Sequence, residues 1–247
     1  MIHTYGPDRD NYAELSMPDS DPLGVAVVLH GGFWRAAYDA SLGQELAKDL
    51  ARRGWAAYNI EYRRVGRGGG WPGTLEDVSN AIDHLGELDL DLSHVVAIGH
   101  SAGGHLAAWA ASRGDLPASA PGSSPRVTVT GVVAQAGVLS LRTGAVTGVG
   151  GSAIVDLLGG SPSEVPERYE WTDPIARVPL DVPVVCVHGH DDDSVPFSQS
   201  EAYVRAAHSA GATVELVECS GGHMVHIDPA SRAWAAVIER LPLFAAD

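Results

Sequence analysis

Short β-branched apolar runs alternate with helical stripes along almost this whole chain, and that alternation restricts its fold more than any other feature. "GVAVVLH" (24–30), "WAAYNI" (55–60), "HVVAIGH" (94–100), "RVTVTGVVAQAG" (126–137), "VPVVCVHG" (182–189) and "TVELVEC" (213–219) read as strands. Between the first two, Leu42, Leu46 and Leu50 recur four apart and stop at Gly54, a helical face with its terminator. Pro72 and Thr74 open a second helix with Val78, Ala81, Ile82 and Leu85 on one side. "AGGHLAAWAASR" is apolar nearly all round, as a central buried helix would be, and further helices are expected near 198–210 and around Trp234. Strand, helix, strand at this spacing implies right-handed crossovers: an α/β fold, its central sheet mostly parallel and covered by helices on both faces. The 247 residues suit one domain spanning 1–247. The rhythm breaks at 138–181, a Gly- and Pro-rich stretch without a strand. It is expected to form a small cap with one helix near Ala153–Leu158, overhanging the carboxyl ends of the strands where ligands bind. The alternative is a surface insertion away from any ligand.

A formal charge of −15 argues against nucleic acid or an anionic membrane as partner, since the field repels both. Cys186 and Cys219 match no metal or redox spacing and read as reduced core thiols. The N-terminus lacks the basic start and apolar stretch of a signal peptide, and no run is long enough to cross a bilayer, so the expected compartment is cytoplasmic.

The pentad Gly99-x-Ser101-x-Gly103 sits where a buried strand passes into a small-residue helix. That setting can hold Ser101 on a strained turn with its hydroxyl exposed to a ligand, next to the N–H of Ala102 at the positive end of the helix. "HGGFW" (30–34) follows the first strand, and its glycines let the N–H groups of Gly32 and Phe33 face a developing oxyanion. His30 is expected to brace that loop. After the fifth strand stand Asp191, Asp192 and Asp193. Asp192 is the chosen carboxylate, with Asp193 the runner-up. Of the histidines beyond them, His208 lies in a helix, whereas His223 follows a Gly-Gly turn that can swing a ring towards Ser101. His226 is its weaker competitor. Serine, acid, histidine in that chain order is the order of α/β-hydrolases.

Taken together, "LHGGFW", "NIEYRR", "GHSAGGHLA", "HGHDDDSVPFSQS" and "GGHMVHIDP" resemble the α/β-hydrolases of the arylformamidase (kynurenine formamidase) and carboxylesterase/lipase group, over residues 22–240. The resemblance implies Ser101 as nucleophile, Asp192 four residues before Pro196 as acid, and His223 six before Pro229 as base. It implies Gly32, Phe33 and Ala102 as oxyanion donors. Gly222 stands where such histidines often follow an aspartate. No metal, nucleotide or organic cofactor is implied, and the substrate is a small ester or activated amide. A peptidase of the prolyl-oligopeptidase type and a non-catalytic binding module are the competing readings. Phe33 and Trp34 could line an aryl pocket or pack the loop onto the core. Arg35 and Arg63 could meet a substrate carboxylate, or could pair with Glu61 or Asp77 and hold their loop. Nothing here sets the oligomeric state.

Overall fold

The computed structural model describes residues 1–245. An eight-stranded sheet runs through it: β1 (Ile2–Thr4), β2 (Tyr12–Ser16), β3 (Val25–Leu29), β4 (Ala56–Ile60), β5 (Val95–His100), β6 (Gly131–Gln135), β7 (Val184–Gly189) and β8 (Val214–Cys219). Their order is β1-β2-β4-β3-β5-β6-β7-β8. From β4 to β8 neighbours are parallel, while β1 and β2 add an antiparallel edge. This is an α/β-hydrolase fold.

The central strands β3 to β7 are buried residue by residue, which is why they read as unbroken apolar runs instead of alternating ones. One sheet face packs Ala26, Val28, Val96, Ile98 and Val185 against α1 (Gln44–Arg52) and α8 (Arg232–Ile238). The other face carries α2 (Gly73–His84), α3 (Ala102–Ala111) and α7 (Ser198–Ser209), with Val27, Leu75, Leu106 and Tyr203 among the buried contacts. Strand β6 is shorter than the run 126–137. Its first residues leave the ladder because the N–H groups of Arg126 and Val127 bond to the Asp83 carboxylate.

The segment 138–181 holds three short helices in place of the expected one: α4 (Leu141–Thr147), α5 (Ala153–Leu158) and α6 (Pro166–Thr172). Asp173, after α6, ties that end of the segment to its start, its carboxylate accepting from the N–H groups of Leu141 and Arg142 at 2.7 and 2.9 Å. Those are orphan donors at the start of α4, so the bonds fix where that helix begins. No helix among the described residues is long and apolar enough to cross a membrane.

Candidate active site

Ser101 closes β5 and caps α3 with φ +56° and ψ −117°. A non-glycine residue in that region is strained and persists only where its surroundings hold it. Three backbone bonds hold it here: Ser101 N–H to the Gln135 carbonyl, and the N–H groups of His105 and Val138 to the Ser101 carbonyl. The flanking glycines serve a different purpose from the turn. A Cβ on Gly103 would fall on the Leu29 carbonyl, and one on Gly99 on the Gly103 carbonyl. They let α3 press against β3 while the serine itself carries the strained torsion.

His223 lies in the turn after β8 and gives its Nδ1 proton to Asp192 Oδ2 at 2.7 Å. In the neutral ring this leaves the Nε2 lone pair as the basic site. Asp192 is bound on both oxygens. Oδ1 accepts from the N–H groups of Ser194 and Val195, and Oδ2 also meets His188 Nε2 at 3.3 Å. Burial pushes its pKa up, but these hydrogen bonds outweigh burial and hold the carboxyl well below the usual carboxylate range. Ser101 is 1% exposed, so its hydroxyl is buried where an exposed one was expected, and its Oγ has no partner among the described residues. His100, the residue before Ser101, ties the serine turn to the histidine turn. Its ring packs on His223 at 4.4 Å, and its Nε2 donates to the His223 carbonyl at 3.0 Å.

The loop after β3 turns through positive φ at Gly32, Phe33 and Trp34. The N–H groups of Gly32, Phe33 and Ala102 are engaged with no acceptor among the described residues. Behind the loop His30 acts as a brace: it stacks on Tyr62 at 4.3 Å and lies between the Gly31 carbonyl and Glu61. Tyr62 completes the brace by donating its hydroxyl to the His30 carbonyl.

Three expected substrate contacts are placed elsewhere. Trp34 is 1% exposed and lies edge-on to His105, so it packs the loop onto the core and lines no pocket. Arg63 is taken up by Asp77 through its backbone N–H, Nε and Nη2, at 2.6 to 2.9 Å. Arg35 reaches the cap, bonding Asp156 at 2.9 Å and Ser152 at 3.1 Å. Phe33 lines a cleft of about 430 Å³ whose other walls are residues 147–150 of the cap and Asp193, Ser194 and Pro196 of the acid loop. A Cβ on Gly150 would stand 2.5 Å from the Phe33 ring, so the cap reaches the loop that follows β3. His226 is fully buried and His208 is exposed on α7.

Reading the sequence overlooked His100 and His188. Both are polar residues at the ends of otherwise apolar buried strands, and that was the available signal, because a buried imidazole needs a partner.

Among curated proteins the chain is similar to esterase LipQ of Mycobacterium tuberculosis, 28% identical over 233 residues, covering 89% of this chain and 55% of that protein. It is also similar to isoprenylcysteine alpha-carbonyl methylesterase ICME of Arabidopsis thaliana, 26% identical over 242 residues, covering 88% and 54%. The chain thus spans about half the length of the curated relatives it matches. The apo form of Thermogutta terrifontis esterase 2 superposes with a TM-score of 0.80 at 24% identity, covering 100% of this chain and 96% of that one. A truncated carbohydrate esterase from gut microbiota gives 0.78 at 21% identity, covering 98% and 94%. At those identities the two structures share the fold. The BD-FAE family matches residues 14–206, and on that match the chain belongs to the BD-FAE family.

Proposed function

We propose that this chain is a serine hydrolase that cleaves small uncharged esters through an acyl-enzyme. The observation that carries the reading is the Asp192–His223 contact at 2.7 Å beside a serine held at φ +56° at the start of α3. In this reading Ser101 Oγ attacks the ester carbonyl carbon as its proton passes to His223 Nε2. The carbonyl π pair moves onto oxygen, and that oxyanion accepts from the N–H groups of Ala102, Phe33 and Gly32. Collapse breaks the C–O bond to the alcohol, which leaves with the proton from the imidazolium. Water then attacks the acyl-serine with His223 as base again, releasing the carboxylic acid and restoring the serine. Asp192 keeps the imidazole in the Nδ1–H tautomer and stabilises the imidazolium.

The esterase relatives favour an ester over other acyl substrates. The arylformamidase reading rests on the Phe33 ring in the cleft, and it loses the two arginines and the indole that would have held an anionic aryl substrate. The test is a hydrolysis panel of 4-nitrophenyl esters of rising acyl length beside an N-formyl aryl amine. Short esters should turn over fastest, and Ser101→Ala should lower the rate by about 10⁴ or more. A Ser101→Ala protein that kept a tenth of the activity would remove the nucleophile from this account.

A further inference from the structure

The cleft between the Phe33 loop, the cap and the loop after β7 is apolar on one side and carries charge of a single sign. Phe33, Val149 and Pro196 supply apolar walls, and Asp193 is the one ionisable side chain among its lining residues. Asp193 is exposed, and its carboxylate accepts the Ser194 hydroxyl at 3.1 Å. The arginines in the loops that follow β3 and β4 are already paired. Arg35 is paired with Asp156, Arg63 with Asp77, Arg64 with Glu61 and Asp10, and Arg67 with Asp10. Asp191 stands exposed on the same loop, and the chain as a whole carries −15. A carboxylate brought into the cleft would face Asp193 with no free countercharge lining it.

We propose, on the basis of the ester-hydrolase reading above, that Asp193 makes this cleft a charge filter. The substrate arm that occupies it is uncharged or cationic, and an ester whose arm there ends in a carboxylate is turned away. Two like charges about 6 Å apart in a half-wet cleft, at an effective dielectric of about 40, repel enough to lower kcat/KM about tenfold. Asp193 acts on the entering substrate through its field, so the effect should be screened by salt, which a purely structural role for Asp193 would not be.

The test uses two ester pairs that differ only in methylation of a remote carboxylate. 4-Nitrophenyl hydrogen glutarate and its methyl ester carry the charge on the acyl arm, and 4-acetoxybenzoate and its methyl ester carry it on the alcohol arm. The readout is the ratio of neutral to anionic kcat/KM, compared across variants and salt so that intrinsic reactivity cancels. For the pair whose variable arm occupies the cleft, Asp193→Asn should shrink the ratio about five- to tenfold and Asp193→Lys should shrink it further. Raising NaCl from about 0.02 M to about 0.5 M should shrink it in the wild type as well. Asp191→Asn, outside the cleft, should retain most of the ratio. A ratio unchanged within about twofold in both pairs, in both Asp193 variants, would overturn the proposal. Failure of the wild type to hydrolyse either neutral ester would instead sink the ester-hydrolase reading beneath it.

Discussion

Three adjacent aspartates share a side chain and differ in what surrounds it. Asp191 and Asp193 are exposed, whereas the Asp192 carboxylate is fully buried and accepts from two backbone N–H groups and the His223 imidazole, with His188 Nε2 3.3 Å away. Asparagine at 192 would keep the shape but offer an amide where an acceptor is needed. Asp192→Asn is therefore expected to lower kcat by about 10⁴ with KM little changed, measured on a neutral 4-nitrophenyl ester. On that substrate Asp191→Asn and Asp193→Asn should each stay within about tenfold. The arginines show the opposite limit of reading residues alone. "EYRR" offers both a ligand for an anion and its own counter-ions, and only the fold decides that Asp77, from a helix beginning at Gly73, reaches Arg63 first.

At the level of elements, the glycines around Ser101 set how closely α3 approaches β3. Gly103→Ala would drive a methyl into the Leu29 carbonyl, and backbone cannot yield as a side-chain tip can. It should cost about 3 kcal/mol or more, read from the urea midpoint, or leave the protein insoluble. Gly114→Ala, with nothing within 4 Å of the added carbon, should stay within about 0.5 kcal/mol. Five of the six parallel strands, β3 to β7, were legible because burial on both faces enforces apolar β-branched runs; β8, half exposed at the sheet edge, showed itself by alternation. The antiparallel edge was not: β1 has three residues and β2 only two buried ones, too little pattern to stand out. The cap helices are six or seven residues each, under two turns, so no 3.6-residue period accumulates. The positions of Ser101, Asp192 and His223 were legible from motifs, while His100 and His188, which hold the latter two, reached the site only through sheet order.

For the whole molecule, buried titratable groups make stability depend on pH. Burial lowers His105 and His226 to about 4, and lowers His100 well below its ordinary value. Burial also raises Asp173 to about 6. Between about pH 4 and 6.5 the unfolded chain therefore binds protons at three histidines that the folded chain refuses. The folded chain keeps one extra proton at Asp173 over much of that range. The balance favours the unfolded state by about two protons, so stability is full above about pH 6.5 and falls as the pH drops through this window. The slope should approach about 2.7 kcal/mol per pH unit near pH 5. Below that, protonation of Asp192 removes the preference of its hydrogen bonds for the carboxylate and adds to the loss. Urea midpoints at pH 7.5, 6 and 5 check this, and a flat profile would contradict the buried neutral histidines.

The central claim is that one serine, Ser101, is the nucleophile. Intact-mass analysis after reaction with a fluorophosphonate tests it most directly, with the adduct located by peptide mapping and residual ester hydrolysis measured on the same sample. The account predicts one adduct per chain, on Ser101, with hydrolysis lost in proportion to labelling and no adduct in Ser101→Ala. An adduct on another residue, or hydrolysis that persists at full labelling of Ser101, would contradict it.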